Sequence, residues 1–110
     1  MTHTVSARGK LHVLALSGEV DMHSSPAVRK VILDLVKTKA AVVVDLSAVK
    51  YMDSSGVATL VEGFQNARKL GHDFILAAPS GSVLGVIRLA RLDKVFRIAA
   101  SIDECEGLVG

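Results

Sequence analysis

The chain has 110 residues, half of them hydrophobic, and its 13 Lys and Arg nearly balance 11 Asp and Glu. That length suits one domain with a buried core, while the even charge and an aromatic set of one Tyr and three Phe argue against a nucleic-acid surface, which needs basic patches or stacking platforms. A lone cysteine, Cys105, excludes a disulfide framework and a cysteine metal site, no apolar run reaches the roughly 18–20 residues of a membrane span, and the opening residues lack the apolar core of a signal peptide. Together these features predict a cytoplasmic protein that does not insert into membranes.

Residues 2–7 alternate in character and read as a strand, 8–10 as a turn, and 11–16 as a second strand, which makes a hairpin. Gly18 ends that strand. Ser25 followed by Pro26 reads as a cap with proline at the first helical position. Val28, Val31, Ile32, Leu35 and Val36 then line one face of a helix. The run Ala41-Val42-Val43-Val44 reads as a buried strand, which Asp45 breaks, and 46–51 reads as a loop. Asp53-Ser54-Ser55-Gly56 opens a second helix, whose apolar face is Val57, Leu60, Val61 and Phe64 at i, i+3, i+4 and i+7. It ends near Leu70 with Gly71 as its C-terminal cap. Arg68 and Lys69 suit the negative end of its dipole. Residues 74–78 form another buried strand, and Val83, Val86, Ile87 and Ala90 mark a weaker helix. Residues 95–99 are a last short strand. Ser101 with Glu104 three residues on is a capping box for a short final helix holding Cys105 and Leu108.

The order ββαβαβαβα predicts a single α/β domain over residues 1–110. It has a mixed sheet of four to five strands, mostly parallel with an antiparallel N-terminal edge, packed on about four helices.

The chemistry concentrates at Asp53-Ser54-Ser55-Gly56. A helix N-terminus carries unpaired N–H groups and partial positive charge, so it seats an anion. A plain cap needs one side-chain oxygen, whereas here three oxygen-bearing residues precede a glycine that leaves the spot open. Simple capping and a serine that carries phosphate are both compatible with this stretch. A nucleophile elbow is not met, because Asp53 and Val57 stand where its glycines belong. None of His3, His12, His23 and His72 falls in a segment that reaches Ser55 as a base. Glu19, Val20 and Asp21 read as a polar loop. Asp21 and Ser55 each follow a strand and precede a helix, so parallel strands would bring them to one end of the sheet. His23 has no metal-type neighbour at a useful spacing and reads as an exposed loop histidine, and Cys105 as a small buried hydrophobe. The glycines of 81–85 lack the Lys-Ser/Thr of a phosphate loop. No metal site and no cofactor are expected.

Three segments carry a resemblance: Gly18-Glu19-Val20-Asp21; Val43-Val44-Asp45-Leu46-Ser47 with Asp53-Ser54-Ser55-Gly56-Val57; and 89–96, Leu-Ala-Arg-Leu-Asp-Lys-Val-Phe. In order and spacing they resemble the STAS domain family, and within it the bacterial anti-sigma factor antagonists. The resemblance implies a small sheet packed on helices and a regulatory protein, not an enzyme. It implies that the unphosphorylated form binds an ATP-binding serine kinase that is also an anti-sigma factor, and so frees the sigma factor. Phosphorylation then ends binding, and a serine phosphatase resets the protein. It makes Ser55 the phosphoacceptor and matches Asp21 to a loop carboxylate used in partner contact; further partner contacts are expected at His23, Asp53, Ser54 and Gly56, in a monomer or weak dimer. Arg97 departs from the family, where a proline often follows the Val-Phe pair. The same family also includes accessory subunits of ABC-type lipid or anion transporters and stressosome-type scaffolds, and a serine hydrolase is a remote alternative reading of the residues.

Overall fold

The computed structural model describes residues 2–38 and 40–108. Its elements are β1 (Thr2–Arg8), β2 (Leu11–Val20), α1 (Ser25–Val36), β3 (Ala41–Met52), α2 (Ser54–Leu70), β4 (Phe74–Ala77), α3 (Gly81–Leu89), β5 (Arg97–Ala99) and α4 (Ile102–Leu108). The five strands form one sheet in the order β1-β2-β3-β4-β5. Only β1 is antiparallel to its neighbour; β2 through β5 run parallel. This is the α/β order and mixed sheet expected from the sequence.

Alternation along the strands assigns two cores. Leu14, Leu16 and Val20 of β2, with Val42, Val44 and Leu46 of β3, face α1, α2 and α3. Leu11, Val13, Val43, Ile75 and Ala77 face the other way, where α4 covers them with Cys105 and Ile102. The core strands are buried on both sides, as parallel strands between helices must be. β1 is exposed along its whole length. Its far end is clipped to α4 by Arg8, which pairs with Asp103 and with Glu106.

Four expected boundaries are corrected. β3 does not break at Asp45 but continues through 46–51 to Met52. The β2–β3 register shifts between Ala15 and Ser17 and again between Gly18 and Glu19. Each bulge resets which residues point inward. The inward set therefore passes from Leu46 to Val49 and Met52, and the polar residues between them lie outside the core. Regular alternation fails there, so the stretch imitates a loop. Gly18 likewise lies inside β2, at φ 86°, a left-handed conformation that glycine adopts without strain. At α1 the cap is Ser24, not Ser25. Its hydroxyl turns back to the carbonyl oxygen of Glu19 at 3.2 Å, and Ser25 is buried with its Oγ unpartnered among the described residues. β5 begins at Arg97 rather than Val95, because residues 92–96 form turns in which Val95 and Phe96 donate to the Leu92 carbonyl.

The other expected boundaries agree. Gly71 closes α2 at φ 79° with its N–H on the Arg68 carbonyl. Glu104 N–H donates to Ser101 Oγ at 3.2 Å, and the Glu104 carboxylate reaches back to the Ala100 N–H. Among the described residues no helix is long and apolar enough to cross a membrane.

Candidate functional site: the ends of two parallel strands

Because β2 and β3 are parallel neighbours, their C-terminal ends meet. Val20 pairs with Met52, and the Asp53 N–H donates to the Val20 carbonyl at 3.2 Å. Asp21 and the start of α2 are thus rooted side by side, at the same end of the sheet.

Asp53 is the cap of α2. Its backbone is extended, and Oδ1 accepts from the Ser55 N–H at 2.9 Å and the Gly56 N–H at 3.2 Å. Capping is therefore carried by the aspartate alone. Neither serine hydroxyl makes a hydrogen bond among the described residues; Ser54 is exposed and Ser55 half-buried. Ser55 contributes its carbonyl oxygen, which accepts from the Thr59 hydroxyl at 3.0 Å. The site therefore holds two serine hydroxyls, Ser54 and Ser55, at a helix N-terminus without hydrogen-bond partners among the described residues.

Gly56 is buried, and a Cβ there would stand 2.6 Å from Met52 Cγ and 3.0 Å from the Val20 carbonyl oxygen. The glycine keeps the spot open inward, toward the strands, rather than outward. It seats α2 against the ends of β2 and β3, and it offers no surface of its own.

Asp21 organises the neighbouring loop. Its Oδ1 accepts from the Ser24 N–H at 3.1 Å and the His23 N–H at 2.9 Å, a turn in which an aspartate replaces backbone. The Ser24 N–H above all, with the His23 N–H and the Ser24 hydroxyl, holds the Asp21 carboxyl below its ordinary pKa, against a smaller opposing effect of burial. The His23 side chain is exposed. A hollow of about 670 Å³ lies beside this loop, lined by Gly18, Glu19, Asp21, His23, Ser24 and Lys50.

Lys50 escaped sequence reading because β3 looked shorter than it is, and Glu19, expected in a polar loop, lies inside β2. Met22 and Tyr51 also escaped it. They are 63% and 50% exposed and flank the site, Met22 beside Asp21 and Tyr51 two residues before Asp53. The available signal was a large apolar side chain set among polar loop residues. Among the described residues no group of His, Cys, Asp and Glu could hold a metal.

Three comparisons bear on this arrangement. RsfB of Mycobacterium tuberculosis, an anti-sigma-F factor antagonist, is 30% identical over 107 residues, 94% of this chain and 85% of that protein. An anti-sigma factor antagonist from Mycobacterium paratuberculosis superposes with a TM-score of 0.90 at 30% identity, over 98% of this chain and 92% of that one. SpoIIAA of Bacillus in its phosphorylated form shares the fold, with a TM-score of 0.75 at 20% identity, over 97% and 99% of the two chains. The model of the STAS domain matches residues 4–105, and the chain belongs to the STAS domain family.

Proposed function

We propose that this chain is an anti-sigma factor antagonist whose binding is switched by phosphorylation of Ser55. The observation that carries the reading is the division of labour at α2: Asp53 does the capping, which leaves the hydroxyls of Ser54 and Ser55 free for chemistry, and the family resemblance points to the second of them. The names of the 30%-identical relatives support the regulatory role.

In this reading the unphosphorylated end of the sheet docks on an anti-sigma factor that is also a serine kinase, and the sigma factor is released. Asp21, His23, Asp53 and Ser54 supply polar contacts, and Met22 and Tyr51 add apolar ones. Gly56 acts indirectly, by seating the helix. The protein works in the cytoplasm, and a serine phosphatase returns it to the binding state.

Phosphate adds about −1.5 to −2 charges at pH 7. The α2 N-terminus offsets about 0.3–2 kcal/mol of that, so the fold tolerates the group. The docked partner does not. Burying an uncompensated dianion in an interface costs several kcal/mol, and every 1.4 kcal/mol is about tenfold in affinity. Glu19, Asp21 and Asp53 already make this end acidic, with Lys50 the cation lining the adjacent hollow, so repulsion adds to desolvation.

The test is calorimetric titration of the anti-sigma kinase with wild type, Ser55→Ala and Ser55→Asp. Ser55→Ala should bind as wild type does and stay bound when ATP is added. Ser55→Asp should bind at least tenfold more weakly. Stoichiometric phosphorylation of Ser55→Ala would move the acceptor to Ser54, and Ser54→Ala is the matching control.

A further inference from the structure

The end of the molecule opposite Ser55 has a different character. Strands β2 to β5 are parallel, and each helix between them returns the chain. The C-terminal ends of α2 and α3 therefore gather beside the N-terminal ends of β4 and β5. That corner carries Arg68, Lys69, Arg88, Arg91, Lys94 and Arg97, all exposed, against the carboxylates Asp73 and Asp93. Asp73 is engaged by Arg97 at 3.5 Å. Six of the chain's 13 cations thus fall on one corner of a nearly neutral protein. Arg68 and Arg97 share a cleft of about 430 Å³ there with His72, Val95 and the rings of Phe64 and Phe74.

Helix-end cations complement the helix dipole, which accounts for Arg68, Lys69 and Arg88. Arg97 is held by Asp73 and by the Leu108 carbonyl oxygen, to which it donates at 3.3 Å, but neither the dipole nor an ion pair among the described residues accounts for Arg91 and Lys94, which lie outside the helices, or for the apolar side chains among them. Leu70 is 53%, Leu89 87% and Val95 48% exposed. Leu89 lies between Arg88 and Arg91, Val95 follows Lys94, and Leu70 follows Lys69. Aliphatic side chains projecting from a cationic surface match an anionic bilayer interface, where cations meet headgroups and the aliphatic tips enter the boundary region. A protein partner that buried them would need matching pockets, whereas a lipid surface needs only negative charge.

We infer that this corner is a peripheral docking surface for anionic membranes, centred on Leu89 with Arg88, Arg91 and Lys94. It lies at the far end of the sheet from Ser55, so the protein can rest on a membrane while its regulatory end faces away. The inference does not depend on the phosphorylation reading.

Co-sedimentation with large phosphatidylcholine vesicles, with and without about 30% phosphatidylglycerol, tests it. Binding is expected to the anionic vesicles only and to weaken as salt rises. At about 1 kcal/mol per cation near the surface, Arg88→Gln with Lys94→Gln should lower partitioning about thirtyfold. Leu89→Ser should weaken it further, and Ser55→Ala should leave it unchanged. Circular dichroism confirms that each variant is folded. Failure to sediment with anionic vesicles at low salt would overturn the inference and point to an acidic protein surface. Equal sedimentation of the Arg88/Lys94 double variant would overturn it too.

Discussion

At the scale of single residues, the site works by dividing tasks that the sequence leaves merged. Asp53, Ser54 and Ser55 are all good cap residues, so their order along the chain cannot say which one caps. The extended backbone at Asp53 and its two accepted N–H bonds decide it. Asp53→Ala should therefore cost about 0.5–2 kcal/mol of stability in urea unfolding, as loss of a cap does. Ser55→Ala should leave the midpoint nearly unchanged. Cys105 is fully buried, and burial raises its thiol pKa, with Glu104 and Asp45 adding to the shift. A thiolate-seeking reagent should label it only slowly in the native state and rapidly in denaturant. Its reading as a small buried hydrophobe was open to sequence alone, since a free cysteine is among the most buried residue types. The unpartnered Ser25 hydroxyl was not open in that way, because the cap fell one residue earlier than Ser-Pro suggests.

Two glycines decide how the elements fit. Gly56 lets α2 touch the ends of β2 and β3. Gly63 lets α2 approach α1 and β4, because a Cβ there would clash with Ile32 and stand 3.0 Å from the Phe74 ring. Gly63→Ala and Gly56→Ala should each destabilise by about 1–3 kcal/mol through overpacking, read as a lower unfolding midpoint. Gly56→Ala should also weaken partner binding, since it displaces the α2 N-terminus, whereas Gly63→Ala should not. The helices and the short apolar strands were legible because their periodicity is regular. The second halves of β2 and β3 were not, because two bulges break the alternation at the point where the strands deliver Asp21 and Asp53 to the surface. The sequence thus hid how the strands reach the site, while Asp21 and Ser55 were expected at one end of the sheet and are found there. Lys50 and Tyr51 were hidden in the stretch that reads as a loop.

On the scale of the whole molecule, charge is arranged by topology. Parallel strands put every strand-to-helix loop at one end and every helix-to-strand loop at the other. The first end is acidic around Ser55, and the second is basic around Leu89. Acid should act on two carboxylates for different reasons. Asp21 is held below its ordinary pKa mainly by the Ser24 N–H, and Glu62 mainly by its hydrogen bond from Arg29, which joins α1 to α2. A carboxyl with a depressed folded pKa contributes stability above its unfolded pKa, and that contribution fades as pH falls through the folded value. Both groups lie at the surface, so the loss should be modest. A carboxyl titration by NMR should place both below the ordinary range, and Arg29→Gln should return Glu62 to that range while leaving Asp21 where it was.

The central claim is that Ser55 carries a reversible phosphate, and the most direct measurement is the intact mass of the protein purified from its own cells. Peptide mapping across residues 49–68 would then locate any modification. The predicted result is a mixed population with one added phosphate on Ser55, which shifts with growth condition and disappears on phosphatase treatment. An unmodified mass under every growth condition, or a phosphate that maps elsewhere, would contradict it.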